Sequence, residues 1–495
     1  MSRRRFVRGV GATGAAAGSI AAAGCAAAPW GGSDDDVPEG AEDYDTVISW
    51  HGGFADDESD DVKDDVREAL WDAGLSKEIY VDIQQSSDST DDVLDQYTTW
   101  LSAGRSDPDI LNMDSGWTIP FIERGQLGRI DEYMSEDRIA EIEEDYFPAS
   151  VDSVRDEDGN LHGLPVFVDL GLMHYRKDLV EAAGYDPDGE GWATEPPTWQ
   201  EFSEAVGAAM EEDDGIENGF TFQADNYEGL SCCNFNEWIT TWGGAYFGDH
   251  ENLHANVGDR PITVEDEPVL DAIRMIRTFI HGSDADDTLD DFEGGISTEA
   301  VLGWNEDPSL GPYGDGRVIA NRNWSYAAAM HAQDDDEDGA GFGEDHGVMP
   351  IPYAVTEDEA EYEGTGGTAA ALGGWNAVPN PNSENLDAVA EVLEALMDPE
   401  FQLFVFEHPL IGNIPPRSEA LEDDDAEDIP VMGRYVDSIR VAGETATARP
   451  VTSLWPDQSS ATASRVHSAL QGDETPEDAM SDLADDLEQL EQEAD

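Results

Sequence analysis

The sequence predicts an α/β chain built as two lobes with a cleft between them. Three observations carry this: a β-α-β-α-β run of hydrophobic periods near its start, a second α/β run from residue 163, and a strand–turn–strand segment linking the two. "TVISW" (46–50) reads as a buried strand. Val62, Val66, Leu70 and Ala73 then recur at helical spacing, behind acids suited to a helix N-terminus. "EIYVDIQ" (78–84) alternates as a strand; Val93, Leu94, Tyr97, Trp100 and Leu101 mark a second helix, and "PDILNMD" (108–114) a third strand. Such a run implies a doubly wound parallel sheet, with ligands at the carboxyl ends of its strands. Asp114 falls at one such end, followed by Ser115, Gly116 and Trp117. The second run is "GLPVFVDLGLMHYRKDLVEAAG" (163–184). Helices are expected over 384–397, 400–407 and 475–492, the last amphipathic with Met480, Leu483, Leu487 and Leu490 inward.

Composition narrows the class. The 495 residues allow about two to four domains, and 39% hydrophobic residues with 13 Trp can build a substantial core. Against 24 Lys+Arg stand 112 Asp+Glu, a formal net charge of −88. The acids are interleaved with apolar positions throughout, so they describe a folded, strongly acidic surface and not a disordered tail. Only Lys63, Lys77 and Lys177 are lysines. That surface repels itself in dilute salt and is screened at 1 M, where the Debye length is about 3 Å, which points to a halophilic protein of a salt-loving archaeon. A nucleic-acid partner is excluded by the lack of a basic patch.

The first 24 residues read as an export leader. Arg3, Arg4 and Arg5 precede a weakly apolar run of small residues, the order of a twin-arginine (Tat) signal. "AAGC" resembles a lipobox, with Ala22 where Leu is commoner, so Cys25 is the expected lipidated residue. Residues 25–43 are rich in acids, Gly and Pro and read as a tether. No later segment has the roughly 18 consecutive apolar residues of a membrane span. The expected location is the outer face of the cell membrane, held by the lipid. Cys232 and Cys233 remain; adjacent cysteines can pair, but with no framework of spaced pairs they are read as small buried hydrophobes.

Nucleotide loops, the GxSxG elbow and HExxH are all missing. "DDDEDG" (334–339), with Asp345 twelfth, mimics a calcium loop, yet its flank is not helical and acids are everywhere; no metal and no cofactor are expected. Carboxylate pairs for glycoside hydrolysis are equally uninformative in so acidic a chain. What stands out is aromatic rings and charged groups beside turn residues: Tyr227 and Glu228 before Gly229, Trp324 and Tyr326 in "NRNWSYAAA", Trp375 after Gly373 and Gly374, and Arg449 beside Pro450. Rings suit the C–H faces of sugars, and carboxylates or Arg suit paired hydroxyls. Taken singly, each Trp is better explained as core.

Eight segments in order, "DPDILNMDSGW", "GLPVFVDLGLMHYRKDLVEAAGY", "PPTWQEF", "NYEGLSC", "NRNWSYA", "LGGWNAVP", "ARPVT" and "TPEDAM", make the chain from about Thr46 onward resemble the extracellular solute-binding proteins (family 1) of ABC sugar importers, especially trehalose/maltose-binding proteins. The resemblance implies a type II periplasmic-binding-protein-like fold, two α/β lobes joined by crossing hinge segments. By it, one lobe holds 44–163 and 370–440, the other 164–369 and 441–495. It implies a monomeric, non-enzymatic receptor that closes on a sugar and docks on permease subunits served by a cytoplasmic ATPase. Carried over by position, Asp114 and Asp169 hydrogen-bond sugar hydroxyls, Arg449 bridges them, Tyr227 and Glu228 line the second lobe, Trp324 and Trp375 stack on rings, and Gly374 lets backbone approach. Phe167 stands where relatives often have Tyr, Ser325 where Pro is usual, and Asp56, Asp57 or Glu58 supplies a first-loop carboxylate. Two other readings stay open: a secreted glycoside hydrolase, and a receptor for a non-sugar solute such as glycerol phosphate, for which Arg449 is the one clear cation.

Overall fold

The computed structural model describes residues 40–494 apart from 42–43, 55–59, 88–89, 157, 255–256, 259, 334–340, 418–425, 427–428 and 451. The leader, Cys25, most of the tether, Asp56, Asp57, Glu58 and the 334–339 acids therefore lie outside the described residues. The described residues from Tyr44 onward form one unit.

Among the described residues ten strands make two sheets: β1 (Thr46–His51), β2 (Ile79–Gln84), β3 (Ile110–Asp114), β4 (Leu164–Leu170), β5 (Leu172–Arg176), β6 (Asn218–Thr221), β7 (Val318–Asn323), β8 (His346–Met349), β9 (Ala370–Pro379) and β10 (Ala446–Thr447). The expected β-α-β-α-β run is present, with α1 (Asp60–Asp72) and α2 (Thr90–Ser102) between parallel strands. The sheet is not all parallel, however. β9 runs antiparallel to both β3 and β4, giving the order β10-β9-β3-β1-β2 with β4 on β9. The other sheet runs β6-β7-β5-β8. The chain leaves the first sheet at Leu170 and enters the second at Leu172, so one residue, Gly171, separates the two.

Each sheet has its own core. Ile48, Trp50, Ile79, Ile110, Leu164 and Leu393 pack in one; Met173, Trp199, Phe220, Trp238, Ile273 and Trp455 pack in the other. The C-terminal helix Pro476–Ala494 belongs to the second core through Met480, Leu483 and Leu487, each fully buried, while Leu490 is half-buried. A third cluster, with Val168, Leu170, Leu172, Ala370 and Val436, lies around the changeover.

At that changeover sits a charge pair hidden from water. The Arg322 side chain on β7 and that of Glu237 are each 1% exposed. Arg322 Nε donates to Glu237 Oε2 at 2.8 Å and Nη2 donates to Oε1. The same Oε1 accepts the Ala371 amide of β9 at 2.9 Å. Gly171 leaves room for the pair, since a Cβ there would lie 1.8 Å from Glu237 Oε1 and 2.5 Å from Arg322 Nη2. Removing one partner of a buried pair strands the other charge. Glu237→Ala should therefore destabilise by about 3–5 kcal/mol, read as a lowered denaturation midpoint in molar KCl. A midpoint equal to wild type would show that the pair carries no such weight.

Candidate functional site

β3 ends at Asp114, and the helix α3 (Ser115–Glu123) begins one residue later. Asp114 is the cap of that helix, its carboxylate accepting the Gly116 amide at 2.7 Å. The cap also reaches outward: Arg449 Nη1 lies 2.9 Å from Asp114 Oδ1 and 3.0 Å from Glu228 Oε1. Trp117 Nε1 donates to the second oxygen of Glu228 at 3.1 Å. One guanidinium thus joins a carboxylate of the first sheet's lobe to one from the loop after β6. All three side chains are nearly buried, and Arg449 Nε is a buried donor with no acceptor among the described residues.

One cation cannot fully serve two carboxylates. Burial raises the Glu228 carboxyl above its ordinary range, with Arg449 opposing and Asp114 adding to the rise. Burial works against the charge of Arg449, but Asp114 and Glu228 outweigh it and hold its pKa above the usual value.

Strand register gathers further residues. Asp114 opposes Trp375, Phe167 opposes Trp375 across a bulge, and Asp169 opposes Gly373. Directly opposed residues share a face, as do positions i and i+2, so these five lie on one side of the β3-β9-β4 surface. Trp375 is half-buried, its ring edge-on to Trp117 at 5.6 Å. Trp324, also half-buried, follows β7, and its ring is near Gly373, whose Cβ would stand 3.4 Å from the indole. These two differ from Trp50, Trp117, Trp199, Trp238 and Trp455, which are core. Tyr227 donates to Glu306 Oε1 at 2.7 Å. Ser325 donates to the Gly412 carbonyl at 3.0 Å, and Phe167 is buried against Phe54.

Gly374 has φ +136, and a Cβ there would fall 2.6 Å from the Phe167 carbonyl, so glycine at this position lets β4 pack against β9. One expectation needs correction. Cys232 and Cys233 are joined in a disulfide, where small free hydrophobes were expected. They lie in the π-helical turn Leu230–Phe235, which Gly229 separates from Glu228. Adjacency alone does not reveal pairing. Arg322, Glu237, Glu306 and Trp117 were missed as site neighbours; only the proximity of Arg322 to Trp324 and of Trp117 to Asp114 was available as a signal.

Two α/β lobes meeting over a polar site flanked by half-buried indoles define a solute receptor. The model of the bacterial extracellular solute-binding protein family matches residues 67–403, and the chain belongs to that family. It is an ABC-transporter solute-binding protein. It is similar to a probable ABC transporter-binding protein of Deinococcus radiodurans, 26% identical over 421 residues, covering 83% of this chain and 86% of the relative. Among solved structures, maltose-bound MalE3 of T. maritima matches with TM-score 0.72 at 24% identity, over 90% of this chain and 100% of that one. A Thermotoga lettingae solute-binding protein bound with α-D-tagatose matches with TM-score 0.67 at 21% identity, over 90% and 99%. UgpB of Mycobacterium tuberculosis in complex with glycerophosphocholine matches with TM-score 0.64 at 16% identity, over 90% and 98%. These likenesses establish the two-lobe type II fold. No helix among the described residues is long and apolar enough to cross a membrane.

The raised Glu228 carboxyl has a measurable consequence. The folded chain holds a proton that the unfolded chain releases between pH 4.5 and about 7. The stability this contributes is complete below pH 4.5 and lost as pH rises through about 7. Glu228→Gln should remove that part of the decline, read from denaturation midpoints across the window. Parallel curves for the two proteins would refute the assignment.

Proposed function

We propose that this chain is a carbohydrate receptor, binding a di- or oligosaccharide of the trehalose/maltose type between its lobes and delivering it to an ABC permease. The observation that carries it is the Asp114–Arg449–Glu228 triad beside Trp117 and Trp375. Two carboxylates and a guanidinium side by side can exchange bonds with vicinal hydroxyls, while half-buried indoles cover C–H faces. The unused Arg449 Nε adds a donor for a hydroxyl oxygen. Asp169 and Trp324 extend the surface, and Tyr227 shapes its second side. The same reading includes a halophilic archaeal source, Tat export, lipidation at Cys25, a monomer, and lobes formed by 44–163 with 370–440 and 164–369 with 441–495.

An anionic ligand such as glycerol phosphate is served poorly here, because the cation it needs is already flanked by two carboxylates. A hydrolase would consume the sugar. Titration calorimetry in molar KCl with trehalose, maltose, maltotriose, sucrose and glucose, plus glycerol phosphate, tests all three readings. Saturation by one intact sugar at micromolar concentration or tighter is expected. Binding of glycerol phosphate alone, or disappearance of the sugar over time, would overturn the proposal. Trp375→Ala should weaken sugar binding by roughly 10- to 100-fold, the weight of a lost stacking ring. Unchanged affinity would return that indole to the core.

A further inference from the structure

Behind Trp324 runs a line of three buried polar side chains drawn from three elements. The Trp324 carbonyl lies 3.0 Å from Nε2 of His174 on β5. Nδ1 of His174 is 3.2 Å from Nε2 of His346, which opens β8. Nδ1 of His346 is 3.1 Å from the hydroxyl of Tyr313, in the helix Glu306–Gly314. His174 and Tyr313 are wholly buried and His346 nearly so. The rings of Phe342 and Tyr435 close over His346.

The chemistry of the line has one direction. A carbonyl only accepts, so Nε2 of His174 carries the proton, and in a neutral ring Nδ1 then accepts. That places the proton of His346 on Nε2, leaves its Nδ1 as acceptor, and makes Tyr313 the donor. The network assigns these tautomers. Neutrality agrees with burial, which lowers the pKa of His174 to about 3 and that of His346 well below the usual range. Three polar groups in a dry interior are costly unless every bond is made, and here the series ends on backbone at the candidate site, the Trp324 carbonyl with the neighbouring Asn323 backbone beside it. The indole itself is held from behind, with the Arg322 guanidinium 4.2 Å from its ring centre.

We propose that Tyr313, His346 and His174 are positioning residues, a one-way hydrogen-bond chain that sets the backbone of Trp324 while Arg322 backs its ring, so that one fixed indole face meets the sugar. This rests on Trp324 being a stacking surface, and the experiment separates the two claims. Nitrogen-15 NMR of the whole chain in molar KCl should show His174 and His346 both as neutral Nε2-protonated rings between about pH 5 and 8. An Nδ1-protonated ring or an imidazolium at either position overturns the chain. With maltose and trehalose as probes, His174→Leu should bind roughly 10-fold more weakly, and His174→Gln, which keeps a donor and an acceptor, within about threefold of wild type. Weak binding by Trp324→Ala with wild-type binding by His174→Leu overturns the positioning role alone. Wild-type binding by Trp324→Ala overturns the stacking surface and the proposal with it. Should His174→Leu not fold, Tyr313→Phe removes only the last donor; it should bind about two- to fivefold more weakly, and full affinity overturns the role.

Discussion

The ion pair of Glu237 and Arg322 is the constraint on which both lobes depend. It lies where the chain passes from one sheet to the other, beside Gly171 and bonded to the amide of Ala371. Charges so deep are tolerated only when their hydrogen bonds are complete. Satisfying Glu237 therefore specifies the approach of β9, and satisfying Arg322 specifies β7. Gln223 Oε1 takes another guanidinium hydrogen at 3.3 Å. The indole of Trp324 then rests on the same guanidinium, so the joint between lobes and one wall of the site share a single group.

The second charged node works differently. Arg449 holds Asp114 and Glu228 from opposite sides of the site, so its bonds exist only while those sides are together. A solute that took over those bonds would change the balance between arrangements of the two sides only by the difference it made to each. Asp114 doubles as the cap of α3, which ties that balance to a rigid strand–helix junction.

Local signals carried the architecture well. Alternation along β1, β2 and β3 and the helical spacing between them announced the first lobe, and Asp114 was legible because it ends a buried strand. Strand direction was not legible: β9 reads the same whichever way it runs, and it pairs with β3 across more than 250 residues. The packing of Gly374 against β4 was equally hidden, because a glycine needed by a neighbouring strand and one needed by a ligand look alike in sequence. His174 was invisible for a related reason. In "LMHYR" it alternates like any strand residue, and its partner His346 lies 172 positions away.

Trp324 with Arg322 beneath it also selects by charge. An aromatic face attracts cations through its electron-rich centre, and here one face already has such a guest at 4.2 Å. A quaternary ammonium head group stacking on the opposite face would meet like charge through the thickness of the ring. The guanidinium that steadies the indole from one side thereby makes the other face a poorer seat for any cation.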